Sequence, residues 1–258
     1  MPDSPADLDL RLVRYFTVVA DQRHFGRAAE VLHVAQPSLS RQIRRLEQQL
    51  GARLFDRSRV TVGYTTSIII TPAIRDLRRK HPDAEIATLH LDWSESREAL
   101  LDHRVDAVVT RLPIKAEGLH VTILYDEPRV VVVPLDHRLA GKESVTLDDI
   151  ADEPLPRVTD DDWNALWRID PRPDGSPAPD GPLVSTIEDK YELIATGQAV
   201  GIVPAGSRLD GLRSDLTYVP LEGVDPVPVV LATRADDRSR LVAEFRKSAQ
   251  ALLSGPVS

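Results

Sequence analysis

The sequence predicts a small, mainly α head followed by a larger α/β body of two lobes, and three observations carry that prediction. Before residue 51 the apolar residues recur at helical spacing in three short segments; after Arg59, short β-branched runs alternate with amphipathic stretches; and the charge changes sign between the two parts. Residues 1–59 hold ten Arg against seven Asp and Glu, whereas the whole chain of 258 residues has a net charge of −8, so the remainder carries −11. A length of this order suits one large domain or two ordinary ones. A basic head on an acidic body leaves only the head suited to a polyanion. A solvated helix face explains the same charge without any partner.

Within the head, Leu12, Phe16 and Val19, with Val13 and Ala20 beside them, mark a first helix over about 9–21. A second, about 25–33, puts Ala28, Ala29 and Leu32 on one face, where small side chains let another backbone approach closely. The third begins at Pro37, whose fixed φ and missing N–H suit a first helical turn. It buries Leu39, Ile43, Leu46 and Leu50 and ends at Gly51. About three residues, 34–36, separate helices two and three, the tight connection of a helix-turn-helix. On the outward face of the third helix stand Ser38, Arg41 and Arg45, with Gln36 and Ser40 beside them. In a major groove Arg forks onto guanine and Gln pairs with adenine, so double-stranded DNA is the expected partner. Arg44, Arg53 and Arg57 are placed to meet phosphates.

The run AAEVLHVAQPSLSRQIRRLEQQLGARLFDR, residues 28–57, closely resembles the winged helix-turn-helix of LysR-type transcriptional regulators. The Ala pair, Gln-Pro-Ser, Ser-Arg-Gln-Ile, Leu-Glu, Leu-Gly and Leu-Phe-x-Arg all stand in register. The resemblance implies that Gln36, Pro37, Ser40 and Arg41 approach base edges, with Arg53 at the start of the wing and Arg57 near the backbone.

Past Arg59, strands are expected at about 60–64, 84–91, 106–110, 129–133, 201–203 and 227–233, and helices at about 67–80, 94–103, 187–196 and 238–253. That alternation implies a parallel sheet with helices packed on it, and the order fits two α/β lobes joined by two crossing segments. Residues 170–182, DPRPDGSPAPDGP, are expected to be an irregular loop. Ligands of such lobes lie in the cleft beyond the strand ends. Thr65, Thr66 and Ser67 lie where the first strand should give way to a helix, an anion-friendly position. Trp93 and Ser94 follow the second strand, and Thr110 and Arg111 the third, so all three loops open on one edge. A carboxylate effector would use Arg111; an ion pair across the lobes is the alternative for that residue, and ordinary N-capping the alternative for Ser67 and Ser94. Arg157, after the strand-like DEPLPRV, and Val203 with Pro204 would face the cleft from the second lobe.

VGYTTS, LDHRVDAVVTRLP, GQAVGIVP and the late VVLATR resemble, in order, the effector-binding domain of the same family, which has the two-lobed fold of type 2 periplasmic binding proteins. On that basis the head spans 1–59 with its wing incomplete, lobe one spans 60–124 plus 229–258, and lobe two spans 125–228. The resemblance also implies a ligand hydroxyl at Ser67.

Other chemistry is not expected. There is no cysteine, the seven His show no paired metal spacing, and G-x-S-x-G, P-loop and G-x-G-x-x-G patterns are missing, so neither a metal, nor a cofactor, nor an enzymatic activity is anticipated. Asp160, Asp161 and Asp162 read as a solvated helix start, and Trp163 with Trp167, four apart, as helix packing. Neither an export signal nor a membrane-length apolar run is evident, so the cytoplasm is the expected compartment.

One departure stands out. Full regulators of this family carry, between Leu-Phe-x-Arg and the first effector strand, a second wing strand and a long linker helix that pairs two subunits. Here Arg57 is followed by Ser58, Arg59 and then Val60 of the expected strand. The family implies a homo-oligomer, yet the element that sets the spacing of two recognition helices, about 34 Å or a multiple, has no room. Residues 60–62 can form a wing strand or a body strand, but not both. An alternative function follows, a small-molecule binding module whose head no longer regulates.

Overall fold

The computed structural model describes residues 9–22, 25–51, 54, 59–206 and 213–253. Arg53 and Arg57 lie outside these residues, and nothing is described of the Arg44 side chain. The chain divides into two compact units, one of residues 1–60 with 74–87 and one of 61–73 with 88–258.

The head consists of α1 (Leu10–Gln22), α2 (Phe25–Val31) and α3 (Gln36–Leu50). Leu12, Tyr15 and Val19 of α1 meet Phe25, Ala28 and Ala29 of α2 and Leu39, Ile43 and Leu46 of α3 in one core. Ala28 is fully covered, as a close helix approach requires. Two expectations shift. Tyr15 rather than Phe16 points fully inward, and Leu50 is 42% exposed because it lies in the final turn, past the packed stretch. Residues 32–35 connect α2 to α3, which carries Pro37 in its first turn and is closed by Gly51 in the left-handed region at φ 62°.

Lobe one is a five-stranded sheet in the order β2-β1-β3-β10-β4, built of β1 (Arg59–Thr65), β2 (Glu85–Leu91), β3 (Ala107–Arg111), β4 (Leu119–Glu127) and β10 (Val227–Arg234). Helices α5 (Ser96–Leu101) and α8 (Arg240–Leu252) contact it, and α4 (Thr71–Lys80) lies between β1 and β2 in the chain. β1 runs parallel to β3, with Val62 opposite Ala107, so residues 60–62 are a body strand rather than a wing. The sheet is mixed, not parallel as expected. β10 returns from lobe two and lies antiparallel to both β3 and β4, pairing Leu231 with Val109 and with Thr122. β4 went unrecognised in the sequence because its burial alternates weakly along LHVTILYDE.

Lobe two has β5 (Arg129–Pro134) at its centre, antiparallel to β8 (Gly201–Pro204) on one side and β9 (Leu216–Pro220) on the other. The bare valine run of β5 is explained by burial on both faces. Val131 and Val133 pack with Leu139, Ile150, Leu155 and Ile202, while Val130 and Val132 pack with Tyr191, Ile194 and Val203. β6 (Leu155–Arg157) runs parallel to β7 (Asp180–Leu183), and the helices are α6 (Asp161–Arg168) and α7 (Ile187–Ala195). The Pro/Gly-rich loop ends in β7. Its backbone is pinned by buried Arg168, which donates to the carbonyls of Ala178 and Pro179 and pairs with Asp170 and Asp180. Because β4 and β10 both belong to the lobe-one sheet, the crossings fall just before Arg129 and just before Val227, a few residues from the expected boundaries.

Two helix starts differ from expectation. α4 begins at Thr71, not Ser67, because Pro72 sets the first turn and the preceding Ile68 and Ile70 bury themselves in irregular chain; Ser67 itself takes φ 64° in a turn. α5 is six residues long and starts at Ser96. The helix N-terminus expected at Thr65–Ser67 therefore does not exist there.

Candidate functional site

On α3 the periodicity that buries Leu39, Ile43 and Leu46 necessarily turns other positions outward. Pro37, Arg41 and Arg45 are exposed, and Gln36, Ser38 and Ser40 are half-buried. Within the same compact unit the Gln36 amide donates to the Pro82 carbonyl at 3.2 Å, a bond it must exchange to read a base. The exposed arginines form no ion pair among the described residues.

The second site is a cleft in the body, lined from lobe one by Thr65, Thr66, Trp93, Thr110, Arg111, Leu112 and Pro113, and from lobe two by Trp163, Trp167, Ile187, Lys190, Tyr191, Ile202, Val203 and Pro204. Of the expected effector residues, Thr65, Thr66, Trp93, Thr110, Arg111 and Pro204 come together here. Ser67 is exposed in its turn, and Ser94 lines an adjoining groove with Ser96, Arg97 and Lys115. Arg157 is elsewhere, paired with Asp180 and donating to the Gly181 carbonyl, because the short strand β6 ties it to β7.

Arg111 is already committed. Its Nε approaches Glu127 Oε2 at 2.6 Å, one terminal nitrogen reaches Oε1 at 3.3 Å, and the other donates to the Thr66 carbonyl at 2.7 Å. Glu127 is 1% exposed and also accepts from the Gly206 N–H at 2.9 Å. The alternative for Arg111 was an ion pair across the lobes; its partner Glu127 instead ends β4 of the same lobe-one sheet, and the pair cancels that charge inside the cleft. Thr65 and Ser96 hydroxyls both lie 3.3 Å from the Thr110 hydroxyl, so these buried groups satisfy one another.

Lys190 was missed. It stands on α7 in the same stripe as Ile187, Tyr191 and Ile194, and the i, i+3, i+4 spacing of those residues was the available signal. Its Nζ donates to the Ile202 carbonyl at 3.1 Å and lies 5.3 Å from the Trp163 ring centre. Burial without a counter-charge lowers its ammonium to about 8. Burial likewise pushes the Tyr191 phenol up, with Tyr218 adding to the effect. Trp163 and Trp167, read from sequence as helix packing, join Trp93 in a row with ring centres 4.9 Å and 5.8 Å apart. Asp160 caps α6 by accepting from the Trp163 N–H, which orients that ring's backbone.

No group of residues that could hold a metal ion occurs among the described residues, and no described helix is long and apolar enough to cross a membrane.

Residues 55–254 match the LysR substrate binding domain, and residues 10–67 match the bacterial regulatory helix-turn-helix of the lysR family. The two matches overlap over 55–67, a stretch that includes β1 (Arg59–Thr65). The chain is 25% identical to the HTH-type transcriptional regulator AlsR of Bacillus subtilis (strain 168), covering 92% of this chain and 94% of that protein. That alignment runs over 290 positions against 258 residues here, so AlsR contains segments that this chain lacks. Full-length CbnR complexed with its target DNA superposes with a TM-score of 0.60 at 19% identity, covering 94% of this chain and 99% of that one. The BenM effector binding domain with its effector benzoate superposes at 0.61 and 22% identity, covering 75% and 91%. A helix-turn-helix head and a two-lobed effector-binding body, matched together over nearly the whole length, make this chain a member of the LysR family of transcriptional regulators.

Proposed function

We propose that the chain reads a specific duplex DNA sequence with Gln36, Pro37, Ser38, Ser40, Arg41 and Arg45 of α3, holds the backbone with Arg44, Arg53 and Arg57, and answers to a small-molecule effector, a carboxylate, bound in the cleft between the lobes. The observation that carries this reading is the cleft itself, a concave, mostly apolar space with a few converging polar groups, in a chain that also presents a basic helix outward. CbnR with its target DNA and the BenM domain with benzoate are precedents for the two partners. Effector binding would act by population shift, favouring whichever lobe arrangement it contacts best. Such a protein works where the DNA is, in the cytoplasm, and as a homo-oligomer.

Gel shifts with selected DNA fragments test the first half. Arg41→Ala is expected to cost about 1–3 kcal/mol and to relax selectivity at its base pair. Unchanged affinity and selectivity refute the assignment. A second reading rests on the eight residues, 51–58, between α3 and β1, too few for a linker helix. Sedimentation with and without the selected fragment decides: a monomer that ignores DNA at low salt favours a binding module whose head does not regulate.

A further inference from the structure

We propose that Lys190 is the charge-recognising residue of the cleft, and that the effector is a flat aromatic monoanion whose carboxylate meets the Lys190 ammonium while its ring lies against the tryptophan row. The inference rests on the cleft being the effector site.

The argument begins with the charge inventory. Among the described residues only two charged side chains line the cleft, Arg111 and Lys190. Glu127 neutralises the first and accepts from two of its nitrogens, while the Thr66 carbonyl accepts from the third, so Arg111 keeps spare N–H groups but no uncompensated charge. Among the described residues no carboxylate pairs with Lys190, and desolvation alone acts on its ionisation. An ammonium has three donors, and Ile202 accepts one. Two N–H groups and one uncompensated positive charge therefore remain in a water-poor pocket, where a buried charge is costly unless paired. The Trp163 ring offers partial compensation at 5.3 Å, and an anion would supply the rest.

The walls define the remainder of the ligand. Trp93, Trp163 and Trp167 form a row of neighbouring rings, and Pro113, Ile187 and Val203 also line the cleft. Such a surface favours a planar apolar body, because offset and tilted ring contacts add to burial. A cation would be repelled by Lys190. A dianion such as a phosphate monoester would find one unpaired cation where it needs more than one, and a neutral ligand would leave the ammonium unmatched.

The chain supplies its own reporter, since its three tryptophans are Trp93, Trp163 and Trp167, all in this cleft. Intrinsic fluorescence of the full chain at pH 7 is titrated with benzoate and indole-3-carboxylate, and with benzamide and indole-3-carboxamide as uncharged analogues. The expected result is that each acid binds at least about tenfold more tightly than its amide, a difference of about 1.4 kcal/mol. In Lys190→Met that preference falls to within about twofold while the amides bind as before. Equal binding of acid and amide by the unaltered chain overturns the proposal, as does an acid preference that survives Lys190→Met, or no response to either acid at 10 mM, ten times a Kd of about 1 mM, which is about −4 kcal/mol of binding. The first of these leaves the cleft as an effector site and removes only the charge assignment. The regulator reading fails separately, by the Arg41→Ala gel shift, which no outcome here affects.

Discussion

Replacing Lys190 by Met should stabilise the ligand-free protein at neutral pH, an unusual sign for truncation of a buried side chain. In the folded chain the ammonium titrates at about 8 against 10.5 in the unfolded one. At about 1.4 kcal/mol per tenfold in proton affinity, holding the charged form inside the fold costs about 3 kcal/mol wherever both states are protonated, that is, below pH 8. Between pH 8 and 10.5 the unfolded chain binds the extra proton, so stability rises with pH and the penalty disappears. Methionine fills a similar volume without a charge, but loses the bond to the Ile202 carbonyl, worth about 1 kcal/mol. The net gain at pH 7 is then about 2 kcal/mol, or about 4–8 °C in Tm for a unit of this size. Near pH 10 it falls to about zero. Denaturation followed by tryptophan fluorescence reports the body alone, since no tryptophan stands in the head. Other groups that titrate at high pH do so in both proteins and cancel in the difference. A variant less stable at pH 7, or a gain that is the same at pH 7 and 10, would refute the reasoning.

Three further outcomes are expected. Glu127→Gln leaves the Arg111 cation buried without a counter-charge and should cost about 3–5 kcal/mol in urea denaturation, most of it recovered by adding Arg111→Met; a cost below about 1 kcal/mol contradicts the pairing. Gly181→Ala would place a Cβ 2.7 Å from the backbone carbon and oxygen of Leu155, atoms that cannot swing away, so the β6–β7 pair should weaken by about 1–3 kcal/mol, read as a lowered Tm. The Asp149 carboxyl, held down to about 2 by Lys142 and by the backbone and hydroxyl of Thr146, should move up toward the ordinary carboxylate range in Lys142→Ala. An NMR titration shows the change, and an unmoved midpoint assigns the effect to Thr146 alone.

Elements whose burial is regular, on one face or on both, were legible in the sequence. α3 is bounded by Pro37 and Gly51 with Leu39, Ile43 and Leu46 between them, and β5 shows its double burial as an unbroken valine run. β4 and β9 were missed because half-exposed edge positions blur the two-residue alternation. The start of α4 was misplaced because Ser67 resembles a cap, while Pro72, the better marker, sits five residues on. In the cleft, the loop residues Thr65, Thr66, Trp93, Thr110 and Arg111 followed from strand ends. Lys190, Trp163 and Trp167 did not, since they stand on helices and their role depends on what faces them across the lobes. That Arg111 is spent on Glu127, and Lys190 is not spent, is a fact of partnership in space, which no local pattern encodes.

Glu127 stands at the last residue of β4 and grips at once the end of β3, through Arg111, and the chain just past β8, through the Gly206 N–H. A rotation of one lobe against the other that kept this grip would pivot there. Such a turn would part or slide Trp93 of one lobe against Trp163 of the other, now 4.9 Å apart between ring centres: a jaw with its fulcrum beside the neutralised arginine and its bite at the indoles.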